Sequence, residues 1–218
     1  MAKRFMVMRK ADRSTKEDVR VTFSDGLPTV IDGPFPETTQ LMAGFATLEV
    51  DSKQEAIDWV KQRRARDGDG EIEIRELGCA SGLIGLTPSE IVPLSPDPRF
   101  FVLLKANEAL ESGTNPGEKR LAAMAARNEE SVKAGVMLAG EGLQPSSRGA
   151  RVKFSGGKVA VTDGPFTEAK ELIAGFWLIQ VKSRDEAIAW VKRYPFPFPN
   201  VEVEIRQISD EGIDVETT

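Results

Sequence analysis

The chain has 218 residues, 40% of them apolar and 29% charged, and its 29 basic and 34 acidic residues give a formal net charge of -5. Without a surplus of basic residues, neither nucleic acid nor an anionic membrane surface is an expected partner. With 0 His and 1 Cys, the chain also lacks an imidazole base, a Ser-His or Cys-His pair and the ligands of a soft-metal site, so we expect no cofactor. A single Cys and the absence of an apolar stretch of roughly 20 residues favour a cytoplasmic protein.

The first half of the chain starts with a short apolar run at Arg4 to Met8, which predicts a strand. Asp25-Gly26 is a two-residue pair typical of a hairpin turn. Ser52, with Glu55 three positions later, has the pattern that caps the start of a helix. We predict a last strand near Glu73, followed by a proline-rich linker over residues 79–98.

The second half contains a fuller set of elements. We predict a strand at Phe100 to Lys105, and a helix that starts at Asn115 and Pro116 and ends at Gly135. The turn pair Gly156-Gly157 predicts a second hairpin. The remaining predictions are a strand at Ile173 to Val181 that is apolar on both faces, a helix capped by Ser183, and an alternating strand at Val201 to Arg206.

The two halves are copies of one unit. Val30 to Lys61 and Val161 to Lys192 share 18 of 32 residues at an offset of 131 positions, where unrelated sequences would share about two. The first strands match at an offset of only 95, so the first repeat is shorter by 36 residues, approximately Ala109 to Gln144. We divide the chain into an abbreviated repeat at 1–78, a linker at 79–98, a complete repeat at 99–210 and a tail at 211–218.

This order of elements predicts an α+β fold. Strand, helix, hairpin, strand, helix and strand form a split β-α-β, or ferredoxin-like, unit whose helices cover one face of an antiparallel sheet. The open face can be buried against a second sheet, which the tandem repeat supplies. We therefore predict two ferredoxin-like repeats packed as an intramolecular dimeric α+β barrel. In the first repeat, which lacks a helix, the linker or another chain would have to cover part of the sheet.

Two motifs supply candidate acids. Asp163 and Asp32 precede Gly-Pro-Phe in the two repeats, where they could bind a ligand or serve as a base, or could simply cap a turn; we favour the turn. Phe166 is a candidate ligand contact, although the packing role of a core side chain is favoured. Glu141 lies between two glycines, a pattern that fits a ligand site or a bulge equally well.

The last strands carry further candidates for ligand binding. Glu204 and Arg206, and Arg75 in the first repeat, lie on the polar side of these strands, which we expect to face solvent more often than a cavity. Arg151 is suited to pair with one of these carboxylates. Trp177 has no aromatic counterpart in the first repeat, so it could line a cavity there, with core packing as the favoured alternative.

The run from Asp163 to Glu171, together with Ala139 to Pro145 and Ala174-Gly175-Phe176-Trp177, resembles the YCII-related proteins of the DGPF type. The resemblance covers Arg99 to Ile208 and, in shortened form, Lys3 to Leu77. It implies a dimeric α+β barrel found in small bacterial cytoplasmic proteins, most without an established activity. Some relatives are enzymes with a His and Asp pair, which this chain cannot form. Association of DGPF-type genes with alternative sigma factors implies a regulatory role.

Two functions follow from these observations. The favoured function is a non-catalytic module that binds a small molecule, or a protein partner such as a sigma factor or a second copy of itself. The alternative is a carboxylate-dependent lyase or isomerase acting in a cleft between the sheets. In that enzyme Asp163 or Glu141 would be the base, and Arg206 or Arg151 would hold an anionic substrate.

Overall fold

The computed structural model describes residues 3–11, 18–35, 41–62, 70–78, 96–167 and 172–208. In these ranges the chain is an α+β protein with two antiparallel sheets and four α-helices. The first repeat contributes β1 (Lys3–Ala11), β2 (Val19–Ser24), β3 (Leu27–Asp32), β4 (Leu41–Val50), α1 (Lys53–Gln62) and β5 (Gly70–Glu76). The second contributes β6 (Arg99–Lys105), α2 (Glu108–Glu111), α3 (Glu118–Lys133), β7 (Met137–Gly142), a 3-10 turn (Ser146–Arg148), β8 (Ala150–Ser155), β9 (Lys158–Asp163), β10 (Ile173–Gln180), α4 (Arg184–Lys192) and β11 (Val201–Gln207).

The turn and cap residues act locally as the sequence predicts. Asp25 and Gly26 have φ angles of 51° and 80°, and Gly156 and Gly157 have 51° and 82°, so both hairpins turn through the left-handed region. The hydroxyl of Ser183 accepts a hydrogen bond from the amide of Glu186 and caps α4.

The start of α3 differs from its prediction. The helix begins at Glu118 rather than at Pro116, and its N-cap is Gly117 with a φ of 88°. The side chain of Asn115 instead accepts a hydrogen bond from the amide of Gly117, at 2.7 Å. Asn115 therefore stabilises the turn before the helix, and the chain enters the helix two residues later.

Each hairpin belongs to the sheet of the other repeat. In the five-stranded sheet the order is β4-β1-β5-β8-β9, so the hairpin of the second repeat extends the sheet of the first. In the six-stranded sheet the order is β3-β2-β11-β6-β10-β7, so the hairpin of the first repeat extends the sheet of the second. Val152 is opposite Ile72, and Val21 is opposite Val203. The two repeats are thus joined by backbone pairing as well as by the linker.

The apolar side chains form three clusters. One lies between the six-stranded sheet and α3 and α4, and includes Trp177 and Trp190. Another lies between the five-stranded sheet and α1, and includes Phe5 and Ile57. The third contains residues of both sheets: Met6, Met8, Leu77, Phe101, Leu103, Leu143, Ile173 and Phe176. Burial on both sides explains why β10 is apolar on both faces.

The sheet of the first repeat is covered less completely on its helical side. Ala46, Leu48 and Val50 on β4 are only half-buried there. Residues 79–95, most of the linker expected to cover this face, lie outside the described residues. Among the described helices, none combines the length and apolar character needed to cross a membrane.

Candidate functional site

Three charged residues of β5 and β11 are buried in the interior. Glu73 and Arg75 are 0% exposed and Glu204 is 2% exposed. The expectation that this side of the last strands faces solvent is therefore wrong for these three residues. The alternation of charged and apolar residues along the strands is the same whether the charged side meets water or other charges, so the sequence pattern could not distinguish the two.

We call the ion-pair network around β5 the Glu73 cluster; it consists of Glu71, Glu73, Arg75, Glu111 and Arg151. Nη1 of Arg75 donates to Oε1 of Glu73 at 3.1 Å, and Nη2 donates to Oε1 of Glu111 at 3.2 Å. Nε of Arg151 donates to Oε2 of Glu73 at 3.1 Å and lies 3.7 Å from Oε1 of Glu71. Opposite charges thus compensate one another where water is excluded.

The Glu204 cluster occupies the corresponding place beside β11, and consists of Arg20, Lys105, Glu202, Glu204 and Arg206. Nε of Arg20 lies 3.2 Å from Oε1 of Glu202. Nζ of Lys105 lies 3.3 Å from Oε1 of Glu204, and Nη2 of Arg206 donates to Oε2 of Glu204 at 3.3 Å. Four of its members match residues of the Glu73 cluster at the offset of 131 positions, and Lys105 does not.

In both repeats an aromatic ring lies under the arginine of the hairpin. The guanidinium carbon of Arg151 is 4.2 Å from the ring centroid of Phe166, and that of Arg20 is 4.2 Å from the ring centroid of Phe35. Both rings are buried. Each Asp-Gly-Pro-Phe motif therefore uses its aromatic residue to support a cation that pairs with the other repeat.

The aspartates of these motifs lie at the surface. The side chain of Asp163 is 68% exposed and accepts a hydrogen bond from Nζ of Lys53 at 2.6 Å. The side chain of Asp32 is 69% exposed and pairs with Arg184. Each aspartate thus forms an ion pair at the start of a helix of the other repeat, and its carboxylate is exposed to solvent.

The remainder of the second motif packs closely on the 3-10 turn. A Cβ atom on Gly164 would lie 1.8 Å from the carbonyl oxygen of Ser146, so only glycine fits there. The amide of Phe166 donates to Oγ of Ser146 at 3.2 Å. The Gly164-Pro165 peptide bond is cis, as is the matching Gly33-Pro34 bond. Pro165 also predicts the start of a helical turn through Thr167 to Glu171, but residues 168–171 lie outside the described residues.

Glu141 is buried on β7, opposite Phe176 of β10, and is 7% exposed. It forms an ion pair with Arg4 through Oε1, while Oε2 has no hydrogen-bond partner among the described residues. Burial raises the pKa of its carboxyl above the ordinary value, although the charge and the hydrogen bond of Arg4 act in the opposite direction. The position is that of a carboxyl group that can hold a proton at a pH where an exposed glutamate cannot.

A pocket of about 100 Å³ opens in the second repeat, between β10, the α2–α3 segment and residues 142–145, which precede the 3-10 turn. Its walls are mainly apolar and include Leu104, Met124 and Trp177. The indole N–H of Trp177 is bonded to the hydroxyl of Tyr194 at 3.1 Å, so the ring is fixed. Glu111 is the one ionisable residue among those that line this pocket.

The structure distributes the candidate residues over several places. Arg75 and Arg151 meet in the Glu73 cluster, and Arg206 and Glu204 meet in the Glu204 cluster. Of the candidate residues, only Trp177 lines the pocket. Glu111 was not a candidate, although it lies in the segment that the first repeat lacks. This location could have identified Glu111 as a candidate from the sequence. A residue that only one repeat contains can belong to a site that is present only in that repeat.

A sequence profile described as the YCII-related domain matches residues 4–77 and 99–210. An uncharacterised protein of Rhizobium meliloti (strain 1021) is 35% identical over 95 residues. That alignment covers 43% of this chain and 77% of the relative. The relative therefore corresponds to about one repeat, and its description assigns it no activity.

Proposed function

This chain belongs to the YCII-related family, in two tandem copies, and we propose that it is a non-catalytic module that binds a small molecule in the pocket of its second repeat. The observation that carries the proposal is the pocket itself, with apolar walls and a single ionisable lining residue, Glu111. Small-ligand sites combine such walls with a few placed polar groups. The surface positions of Asp32 and Asp163 support the absence of catalysis by these carboxylates.

The proposal includes an intramolecular dimeric α+β barrel as the frame for this pocket. Its support is the apolar cluster shared by the two sheets, together with the partly exposed ring of Phe45 on β4, which meets the ring of Phe101 in that cluster edge to face at 4.8 Å. An antiparallel bridge between Leu77 and Leu143 also connects the two sheets near the pocket. In this arrangement the abbreviated repeat serves as a partner that completes the second repeat.

We further propose that the module works in the cytoplasm and has a protein partner, such as a sigma factor or a second copy of itself. The resemblance to DGPF-type proteins supports this regulatory role. Affinity capture of a purified alternative sigma factor by the full-length protein tests the first of these partners, and no capture above that of an unrelated control protein contradicts it.

Ligand binding can be tested by NMR titration of the full-length protein with a mixture of small organic fragments. We expect shifts of the indole resonance of Trp177 and of the Gly113 and Gly175 amides, because these groups line the pocket. Leu121→Trp should abolish the shifts by filling the pocket, whereas Ala126→Trp, at an exposed position of α3 outside the lining, should preserve them. Shifts that persist unchanged in Leu121→Trp contradict the proposal.

A second candidate function rests on Glu141. A buried carboxyl with a raised pKa and one oxygen without a hydrogen-bond partner is suited to act as an acid or base in a lyase or isomerase. The test is incubation of the wild type and Glu141→Gln with a metabolite extract, followed by mass spectrometry. Consumption of a compound by the wild type alone supports the enzyme, and unchanged extracts support the binding module.

A further inference from the structure

We propose that the ligand of this pocket is a small primary amine, and that its ammonium group binds the carboxylate of Glu111. This inference rests on the proposed binding function and specifies the class of ligand. Glu111 is 20% exposed in its side chain and is the one ionisable residue among those lining the pocket. An ammonium group supplies three donors, and a carboxylate is its natural acceptor.

One residue from each repeat fixes this carboxylate in place. Oε1 of Glu111 accepts a hydrogen bond from Nη2 of Arg75 at 3.2 Å, and Oε2 accepts one from the amide of Ser146 at 2.9 Å. A carboxylate has about four lone-pair sites, so each oxygen can still accept another bond. Arg75 is 0% exposed and also donates to the carbonyl oxygen of Gln144 at 2.7 Å. It therefore holds Glu111 without being available to a ligand.

The charge of the Glu73 cluster favours a cation in the pocket. The five described side chains that pair here are three carboxylates (Glu71, Glu73 and Glu111) and two guanidinium groups (Arg75 and Arg151), and together these five carry one surplus negative charge. A bound ammonium would balance this charge. A carboxylate ligand would instead add a fourth negative group in a place with little water.

The apolar walls determine the remainder of the ligand. Leu104, Met124 and Trp177 present carbon surface, and burial of a short alkyl or aromatic body against them is favourable in proportion to the apolar area removed from water. The expected ligand thus has a compact apolar body and one ammonium group. A neutral alcohol of the same length should bind more weakly, because its hydrogen bond to Glu111 lacks the charge-assisted component.

The test is an NMR titration of the full-length protein with n-butylamine, 1-butanol and butyrate, followed at the indole resonance of Trp177. We expect n-butylamine to bind roughly 10-fold more tightly than 1-butanol, and butyrate to bind least. Glu111→Gln should remove the preference for the amine and retain the binding of 1-butanol. Glu108→Gln, at an exposed position of the same helix, should keep the preference.

The comparison of the three probes in the wild type decides the inference even if Glu111→Gln does not fold. Equal binding of n-butylamine and 1-butanol overturns the amine assignment but leaves the pocket as a ligand site. Tightest binding of butyrate also overturns it. Failure of all three probes to shift the pocket resonances counts against both the inference and the binding function.

Discussion

Nε of Arg151, on the hairpin of the second repeat, donates a hydrogen bond of 3.1 Å to Oε2 of Glu73 on the last strand of the first repeat. The matching residues at the offset of 131 positions are Arg20 of the first repeat and Glu204 of the second, whose Nη2 and Oε1 atoms lie 3.7 Å apart; Nε of Arg20 also lies 3.2 Å from Oε1 of Glu202. The exchange of hairpins between the sheets is what brings these charges together. Each ion pair is thus a contact between repeats, placed where the backbone pairing also crosses from one repeat to the other.

Replacement of Arg151 by Met should destabilise the protein by about 3–5 kcal/mol. Glu73 is 0% exposed and pairs with Arg151 and Arg75 among the described residues, so loss of Arg151 leaves part of a buried charge uncompensated. The measurement is urea unfolding followed by tryptophan fluorescence. Lys153→Met, at an exposed position of the same strand, should change the free energy of unfolding by no more than about 0.5 kcal/mol.

The double variant Arg151→Met with Glu73→Met provides a further check on this ion pair. Because the unpaired charge is removed as well, it should recover much of the stability lost in Arg151→Met. A single variant as stable as the wild type would show that Arg151 contributes nothing to holding the hairpin.

The sequence predicted the local elements well because their signals are local. The pairs Asp25-Gly26 and Gly156-Gly157 define the two hairpins, and Ser183 caps its helix, without reference to the rest of the chain. Which sheet edge a hairpin joins depends on pairings such as Val152 with Ile72, far apart in the sequence. No local pattern encodes that choice, and the exchange was therefore not predicted.

Gly164→Ala should be destabilising by about 1–3 kcal/mol or more, because the new methyl group would overlap the backbone oxygen of Ser146. The oxygen of Ser146 is a backbone atom, and the new Cβ would be attached directly to the backbone of residue 164. Neither atom can move aside as the end of a flexible side chain would. Gly70→Ala is the matched control, since a Cβ atom at Gly70 meets nothing within 4 Å, and it should be neutral or slightly stabilising. Thermal unfolding of the two variants compares them directly, and equal melting temperatures would contradict the close packing of the motif.

The candidate site was harder to predict than the fold. Asp163 and Asp32 are the most prominent acids in the sequence, yet both lie at the surface, while Glu111 lines the pocket and stands in an unremarkable helical stretch. Its importance comes from Arg75, which reaches it from the other repeat at 3.2 Å. This site is assembled from both repeats, so its position depends on long-range packing, as the exchange of hairpins does. Local sequence patterns therefore do not predict it.

The stability of the wild type relative to Glu141→Gln should decrease as the pH rises through the range above 4.5, the ordinary value for this carboxyl. Burial raises its pKa in the folded state, so the folded protein retains a proton that the unfolded chain has released. The contribution of Glu141 is therefore most favourable below 4.5 and is lost as the pH rises through the folded-state pKa. Urea unfolding of both proteins over a pH series measures it, and a difference that is constant or that grows in favour of the wild type contradicts the raised pKa.

The second repeat expressed alone, as residues 97–218, should form a homodimer. Its hairpin of β8 and β9 pairs in the full chain with β5 of the first repeat, and β11 pairs with β2, so the isolated repeat lacks both partners. A second copy can supply each of them through a two-fold arrangement in which the hairpins are exchanged. Light scattering after size exclusion measures the mass, and a monomer at all concentrations would show that the exchange is not required for folding.

Charge reversal tests the geometry of this homodimer. Since Arg151 matches Arg20 at the offset of 131 positions, it should meet Glu202 and Glu204 of the other copy, as Arg20 does in the full chain. Arg151→Glu should then weaken the dimer strongly, because it places a third carboxylate beside two others in a buried position. Lys153→Glu changes the charge by the same amount at an exposed position and should leave the dimer intact. Equal effects of the two reversals would indicate that net charge alone governs association, and would contradict hairpin exchange as its cause.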